Sequence, residues 1–320
     1  FPVLINFILQ DVIQFLSAED QKVVNGIITA IESNYSNYKS RDNDPAYGFY
    51  RTTPGGHYPH GLLLSRFDSL KLPDDADDTA LIYLTKNHSK EDIHWLKEKL
   101  AFHANLQRGR KVKKTLPRYE KLQAYSTWFG SDKVYVDFDI SVMCNVMRFV
   151  FENDLPLNTH DLDTMKFIES VILNDEHFNH TFIVAPWYPD TNIILYHVSR
   201  LLAPFEKPEY NLLKEKLTAD LEKQLAGAAS FMEYLILSTS LLRIGIKVKE
   251  NPFPAPTDKE LKNFSWGVTP ILYTIDWFYN MKNRWVKRLV ASKPLNYQFR
   301  CPAHCLALIL ENLVYREKLL

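Results

Sequence analysis

Glycine is scarce in this sequence, with ten residues in 320, and Asn-Gly or Asp-Gly turn pairs do not recur. That excludes a many-stranded sandwich or barrel built on tight hairpins and favours helices. Cysteine is scarcer still: Cys144, Cys301 and Cys305 are an odd number in a long chain, which reads as reduced thiols in a cytoplasmic protein rather than a disulfide framework. Charge of one sign is missing as well. Thirty-eight basic residues balance 38 acidic ones, so no long-range field favours nucleic acid. No basic residue precedes Lys22, so the apolar stretch Pro2–Leu16 lacks the charged start of a secretory signal and reads as a helix. A long uncharged run is also absent: the nearest case, Leu225–Leu242, carries Glu233 and several hydroxyls and reads as a buried helix, not a transmembrane segment.

What is present is apolar periodicity. Hydrophobic residues make up 46% of the chain and charged ones 24%, enough to bury a sizeable core. Ser17 and Ser89 stand where helix caps belong, and Val23, Val24, Ile27, Ile28, Ile31 and Tyr35 predict one apolar face after Ser17. Asp139 opens a further helix through Ile140, Met143, Val146, Met147 and Val150. Other helices are predicted over Asp75–Thr85, Thr159–Leu173, Asp190–Leu202, Pro208–Leu225, Ala228–Ile244, Val268–Met281 and Pro302–Glu317. No strand-like alternation competes with them and no linker divides the chain, so the expectation is one all-α domain over residues 1–320, its helical hairpins arranged as inner and outer layers. Two irregular stretches, Ser40–Pro73 and Gly109–Asp137, interrupt the pattern where functional loops belong.

The densest chemical feature is Pro73-Asp74-Asp75-Ala76-Asp77-Asp78-Thr79-Ala80, four carboxylates in five positions at a helix start. The helix dipole accounts for one or two of them at about 0.3–1 kcal/mol each. Four exceed that account, because neighbouring carboxylates cannot all ionise cheaply and at least one pKa is expected to rise. A carboxyl kept protonated is the acid that a weakly basic substrate requires, whereas a divalent cation is the competing use of such an oxygen cluster.

Asp75-Ala76-Asp77-Asp78-Thr79-Ala80 resembles the Asp-x-Asp-Asp-Thr-Ala motif of class II terpene cyclases. Val136-Asp137-Phe138-Asp139 running into Asn145-Val146, and Trp187-Tyr188-Pro189-Asp190 running to Ser199-Arg200, look like segments of the wider terpenoid cyclase and protein prenyltransferase superfamily. The resemblance implies an (α/α)6 toroid in which Asp77 is the general acid that protonates an isoprenoid alkene, with Asp75 and Asp78 as supporting carboxylates. It implies a small hydrophobic or isoprenoid ligand, Mg²⁺ only if that ligand is a diphosphate, and room for peripheral membrane contact. The known class II enzymes place the acid between two helical domains, so a second subunit is expected to complete the cavity. Repeats of the Gln-Trp type, a second class I metal motif and the zinc ligands of prenyltransferases are not found.

Aromatic rings stabilise carbocations, and Tyr125, Trp128, Trp187 and Tyr188 lie nearest the family-like segments, with Phe129 beside them. They are the expected lining, joined by His57 from the glycine-bearing stretch that also holds His60. Cys301, His304 and Cys305 form too small a set for a zinc site and read as a helix start, so no metal ligand is expected. The basic run Arg108 to Lys114 reads as a solvated loop. Two alternatives accompany the cyclase reading. One is a non-catalytic binding or scaffold protein. The other is an (α/α)6 carbohydrate-active enzyme using a second carboxylate such as Asp137 or Asp139.

Overall fold

The structure, a computed structural model, describes residues 2–42, 44–52, 72–130, 136–270 and 296–318. It is all-α, as the patterning predicts: among the described residues there are 13 α-helices, against five short strands. The chain divides into two compact units. One comprises Phe1–Lys113, Pro117–Asp137 and Val142–Phe167, and the other Lys114–Leu116, Phe138–Ser141 and Ile168–Leu320.

The first unit is built on α1 (Pro2–Val12), α2 (Ala18–Glu32), α3 (Ala76–Thr85) and α4 (Lys90–Phe102). Most of α5 (Ile140–Glu152) and the first part of α6 (Thr159–Leu173) also belong to it. Helix α1 is apolar nearly all round and buries Val3, Leu4, Ile5, Phe7, Ile8, Leu9 and Val12, each worth about 1.5–3 kcal/mol against exposure. Two of its polar side chains, Asn6 and Gln10, are used as ties. Asn6 donates to the Tyr35 hydroxyl at 2.7 Å, and Gln10 donates to the carbonyl of Thr85 at 2.6 Å, which fixes the end of α3. Ser17 caps α2, accepting from the Asp20 amide at 3.2 Å. The predicted apolar face of α2 is narrower than expected: Val24 and Ile28 are buried, while Val23 and Ile27 are exposed. Adjacent positions lie about 100° apart around a helix, so one contact line cannot cover both pairs. Ser89 and Asp92 form a reciprocal capping box on α4.

A small antiparallel sheet holds the start of α3. Strand β1 (Tyr47–Gly48) pairs with β2 (Asp74–Asp75), which pairs in turn with β3 (Trp128–Phe129). The two irregular stretches of the sequence thus meet on either side of the acidic segment. The basic run is not wholly solvated: Arg110 and Lys114 are buried while Lys111 and Lys113 are exposed. The cause is local extended backbone, with Val112 bridged to Val136, which sends alternate side chains inward.

The second unit contains α7 (Glu176–Asn179), α8 (Thr181–Val184), α9 (Thr191–Leu202), α10 (Asn211–Ala226), α11 (Phe231–Arg243), α12 (Asp258–Asn263) and α13 (Pro302–Lys318). Asp190 caps α9, and Ser230 caps α11. Helices α9, α10 and α13 pack against α11, whose polar residues Ser238, Thr239 and Ser240 are buried by bonding back to carbonyls one turn earlier. No helix among the described residues is long and apolar enough to cross a membrane, and the Leu225–Leu242 run is divided between α10 and α11. Cys305 is buried near the start of α13, as expected. The helix predicted at Val268–Met281 does not begin as one: Gly267–Pro270 is strand β4, paired antiparallel with β5 (Asn296–Phe299). Residues 271–281 lie outside the described residues. Val268 and Thr269 are β-branched and suit a ladder better than a helix start.

Candidate active site

Helix α3 begins where the extended β2 backbone turns. Asp75 is its cap, with φ −102° and ψ 126°, and its carboxylate Oδ1 accepts the backbone amides of Asp77 at 2.7 Å and Asp78 at 3.3 Å. The Asp-x-Asp-Asp spacing is therefore a capping geometry first: it places Asp77 and Asp78 in the first helical turn. Thr79 locks the turn from behind. Its hydroxyl donates to the Asp75 carbonyl at 2.6 Å and accepts from the Tyr47 amide at 3.0 Å. On the other side the Ala76 amide donates to the Thr127 carbonyl at 3.0 Å, and the Thr127 amide donates to the Asp137 carbonyl at 2.9 Å. The acidic segment and the Val136-Asp137 segment, separate in sequence, are thereby brought together.

The side chains are enclosed. Asp75 is 5% exposed and Asp77 4%. Asn145, buried on α5, donates its side-chain amide to Asp77 Oδ1 at 2.5 Å. Burial pushes the Asp75 carboxyl well above the ordinary carboxylate range, with the charges of Asp78 and Asp77 adding to it and the two amide bonds opposing. Burial likewise raises Asp78, helped by Asp77, to about 6. Asp74 is raised by burial too, against a bond from the Ser40 hydroxyl at 2.5 Å. Carboxyls this close titrate as a set, so the segment retains protons at a pH where isolated aspartates have lost them.

The expected lining residues belong to both units. Trp128 is buried and is the β-sheet partner of Asp75. Tyr125 is fully buried in the same unit, but its hydroxyl donates to Asp161 Oδ1 at 2.7 Å and its amide donates to the Thr164 hydroxyl at 3.1 Å. Asp161 is also paired with Lys97. That anchorage makes Tyr125 a core tie between its loop and α6. Trp187 and Tyr188 belong to the second unit, half-buried. The Trp187 amide donates to Asp139 Oδ2 at 2.8 Å, while Asp139 Oδ1 accepts the Ser141 amide at 2.8 Å and so caps α5. Tyr188 lies 5.4 Å from the His197 ring. His57 and His60 lie outside the described residues.

Asn145, Ser40 and Thr79 are absent from the expected set. Asn145 had a legible signal: an amide on an apolar helix face among Met143, Val146 and Met147 must find a partner when buried. Ser40, far along the chain from Asp74, had none. Compared with family models, curated proteins and solved structures, the chain matches none of them.

Proposed function

We propose that this chain is a class II terpene cyclase-like enzyme in which Asp77 protonates an isoprenoid alkene. The observation that carries the reading is the carboxylate set itself: Asp75 and Asp77 buried, Asp75 and Asp78 both pushed toward the protonated form, and the Asn145 side-chain amide donating to Asp77 Oδ1. An amide donor makes Oδ1 an acceptor in that bond.

In the proposed step the alkene π pair takes the hydrogen from the Asp77 carboxyl, giving a carbocation and a carboxylate. The Asn145 amide stabilises that carboxylate as it forms. A second alkene of the same substrate closes the ring, and loss of a proton from a neighbouring carbon restores a double bond, so the overall change is an isomerisation. Trp128 and Tyr47 are the aromatic residues paired with Asp75 across the small sheet, and a ring face is worth about 0.5–2 kcal/mol to a dry cation. The (α/α)6 toroid and a cavity completed by a second subunit belong to this same reading.

The test is product analysis after incubation with squalene and, separately, with prenyl diphosphates of increasing length. The proposal expects a cyclic isomer from the unaltered protein and none from Asp77→Asn. A folded protein that returns every substrate unchanged contradicts it.

A further inference from the structure

A second cluster of chemically competent side chains lies in the second unit. Asp175 precedes α7, His177 lies within α7, and Asp220 lies on α10; one ligand atom from each falls within 4.8 Å of the others. His177 is fully buried and Asp220 nearly so, while Asp175 is exposed. Lys216, one helical turn before Asp220, places its ammonium between the two carboxylates, 2.7 Å from Asp175 Oδ1 and 2.5 and 2.6 Å from the two oxygens of Asp220.

The imidazole supplies the independent observation. Its Nδ1 faces the carbonyl oxygen of Val171 at 3.4 Å. A carbonyl only accepts, so Nδ1 is the nitrogen that carries hydrogen. That leaves the lone pair on Nε2, which lies 3.1 Å from Asp220 Oδ2 without a hydrogen bond to it. Two acceptors at that distance repel unless a cation is shared between them. A ring N–H resting on a backbone carbonyl while the other nitrogen faces a carboxylate oxygen is also how metal-binding histidines are oriented.

We propose that Asp175, His177 and Asp220 bind one divalent cation of the zinc class. Imidazole selects such ions over Mg²⁺ and Ca²⁺, which prefer all-oxygen sites. The spacing fits: with metal–ligand bonds of about 2.0–2.1 Å, neighbouring ligands of a tetrahedral ion stand about 3.3 Å apart, close to the 3.1 Å between Nε2 and Oδ2. Asp175 is on an exposed corner and closes the remaining distance by side-chain rotation, with water as the fourth ligand. Lys216 is the cation that the metal displaces. The site clips the α7 corner to α10, far apart in sequence.

The experiment is titration of the full chain with zinc against a chromogenic chelator, repeated with cobalt(II) to read the coordination from its visible spectrum. The proposal expects one equivalent bound with a dissociation constant below about 10 µM. Asp175→Asn, at an exposed position that leaves the core intact, weakens binding at least about tenfold. Lys216→Met strengthens it, because the competing ammonium is gone. Absence of zinc uptake by the folded chain overturns the proposal. So does uptake that Asp175→Asn and His177→Gln both leave unchanged, which places the metal on other histidines.

Discussion

Asn145 and Asp77, 68 residues apart, meet across a 2.5 Å bond from side-chain amide to carboxylate oxygen. Both are buried. The bond ties α5 to the first turn of α3, so it stabilises the fold and sets the character of the carboxyl at once. Asn145→Ala removes a donor from an enclosed acidic group, and such bonds contribute about 1.5–3 kcal/mol. Urea denaturation is expected to show a loss of that size at neutral pH, and a loss under about 0.5 kcal/mol contradicts it.

Asp78 gives a pH dependence with a definite sign. Its carboxyl is raised from 3.8 to about 6, so the folded chain binds that proton more tightly than the unfolded one. Its contribution to stability is full below pH about 4 and is lost as pH rises toward about 6. Asp78→Asn is therefore expected to be more stable than the parent at pH 7, by about 1–2 kcal/mol because the side chain is partly exposed. The two should converge near pH 4. The helix-dipole contribution that is lost, about 0.3–1 kcal/mol, is too small to reverse this. Thermal melts across pH 4 to 8 read the difference.

Asp75 separates capping from charge. Asparagine caps a helix as well as aspartate does, so Asp75→Asn keeps the two amide bonds and removes a buried charge that burial and Asp78 both disfavour. It is expected to equal or exceed the parent in stability at pH 7. Asp75→Ala loses the cap and costs about 1–2 kcal/mol. Equal behaviour of the two variants in denaturant refutes this division.

In the second unit, Arg243 on α11 pairs with Glu311 on α13, both buried, and Glu311 also accepts from the Tyr196 hydroxyl at 2.7 Å. Breaking a buried pair from one side leaves an uncompensated charge, at about 3–5 kcal/mol. Glu311→Leu is expected to lower stability by that amount, and a change below about 1 kcal/mol shows that the pair is solvated in practice.

The helices were legible because their signals are local. Ser17, Ser89, Asp139 and Asp190 cap where the spacing predicts, and α6 and α13 begin where it predicts. The strands were not: β1, β2 and β3 are two residues each, too short for alternation to register, and β4 depends on β5, which starts 26 residues after β4 ends. In the acidic segment, the raised carboxyls of Asp75 and Asp78 were legible from the cost of crowding like charges. Trp128 fell beside them through sheet register, which sequence periodicity does not encode. Tyr125 was expected in the lining from its neighbours in sequence, and its bonds to the buried Asp161 and Thr164 were not legible there. The His177 cluster passed unnoticed because its ligands come from separate elements, and only folding brings Asp220 to the imidazole.

The most direct measurement for the Asp77 reading is incubation in D₂O with an isoprenoid that the protein converts, followed by mass spectrometry of the product. Donation from a solvent-exchanged carboxyl predicts a cyclic product carrying one added deuterium at the protonated carbon, with no diphosphate released, and its disappearance in Asp77→Asn. A product free of deuterium, or one formed undiminished by Asp77→Asn, contradicts the account.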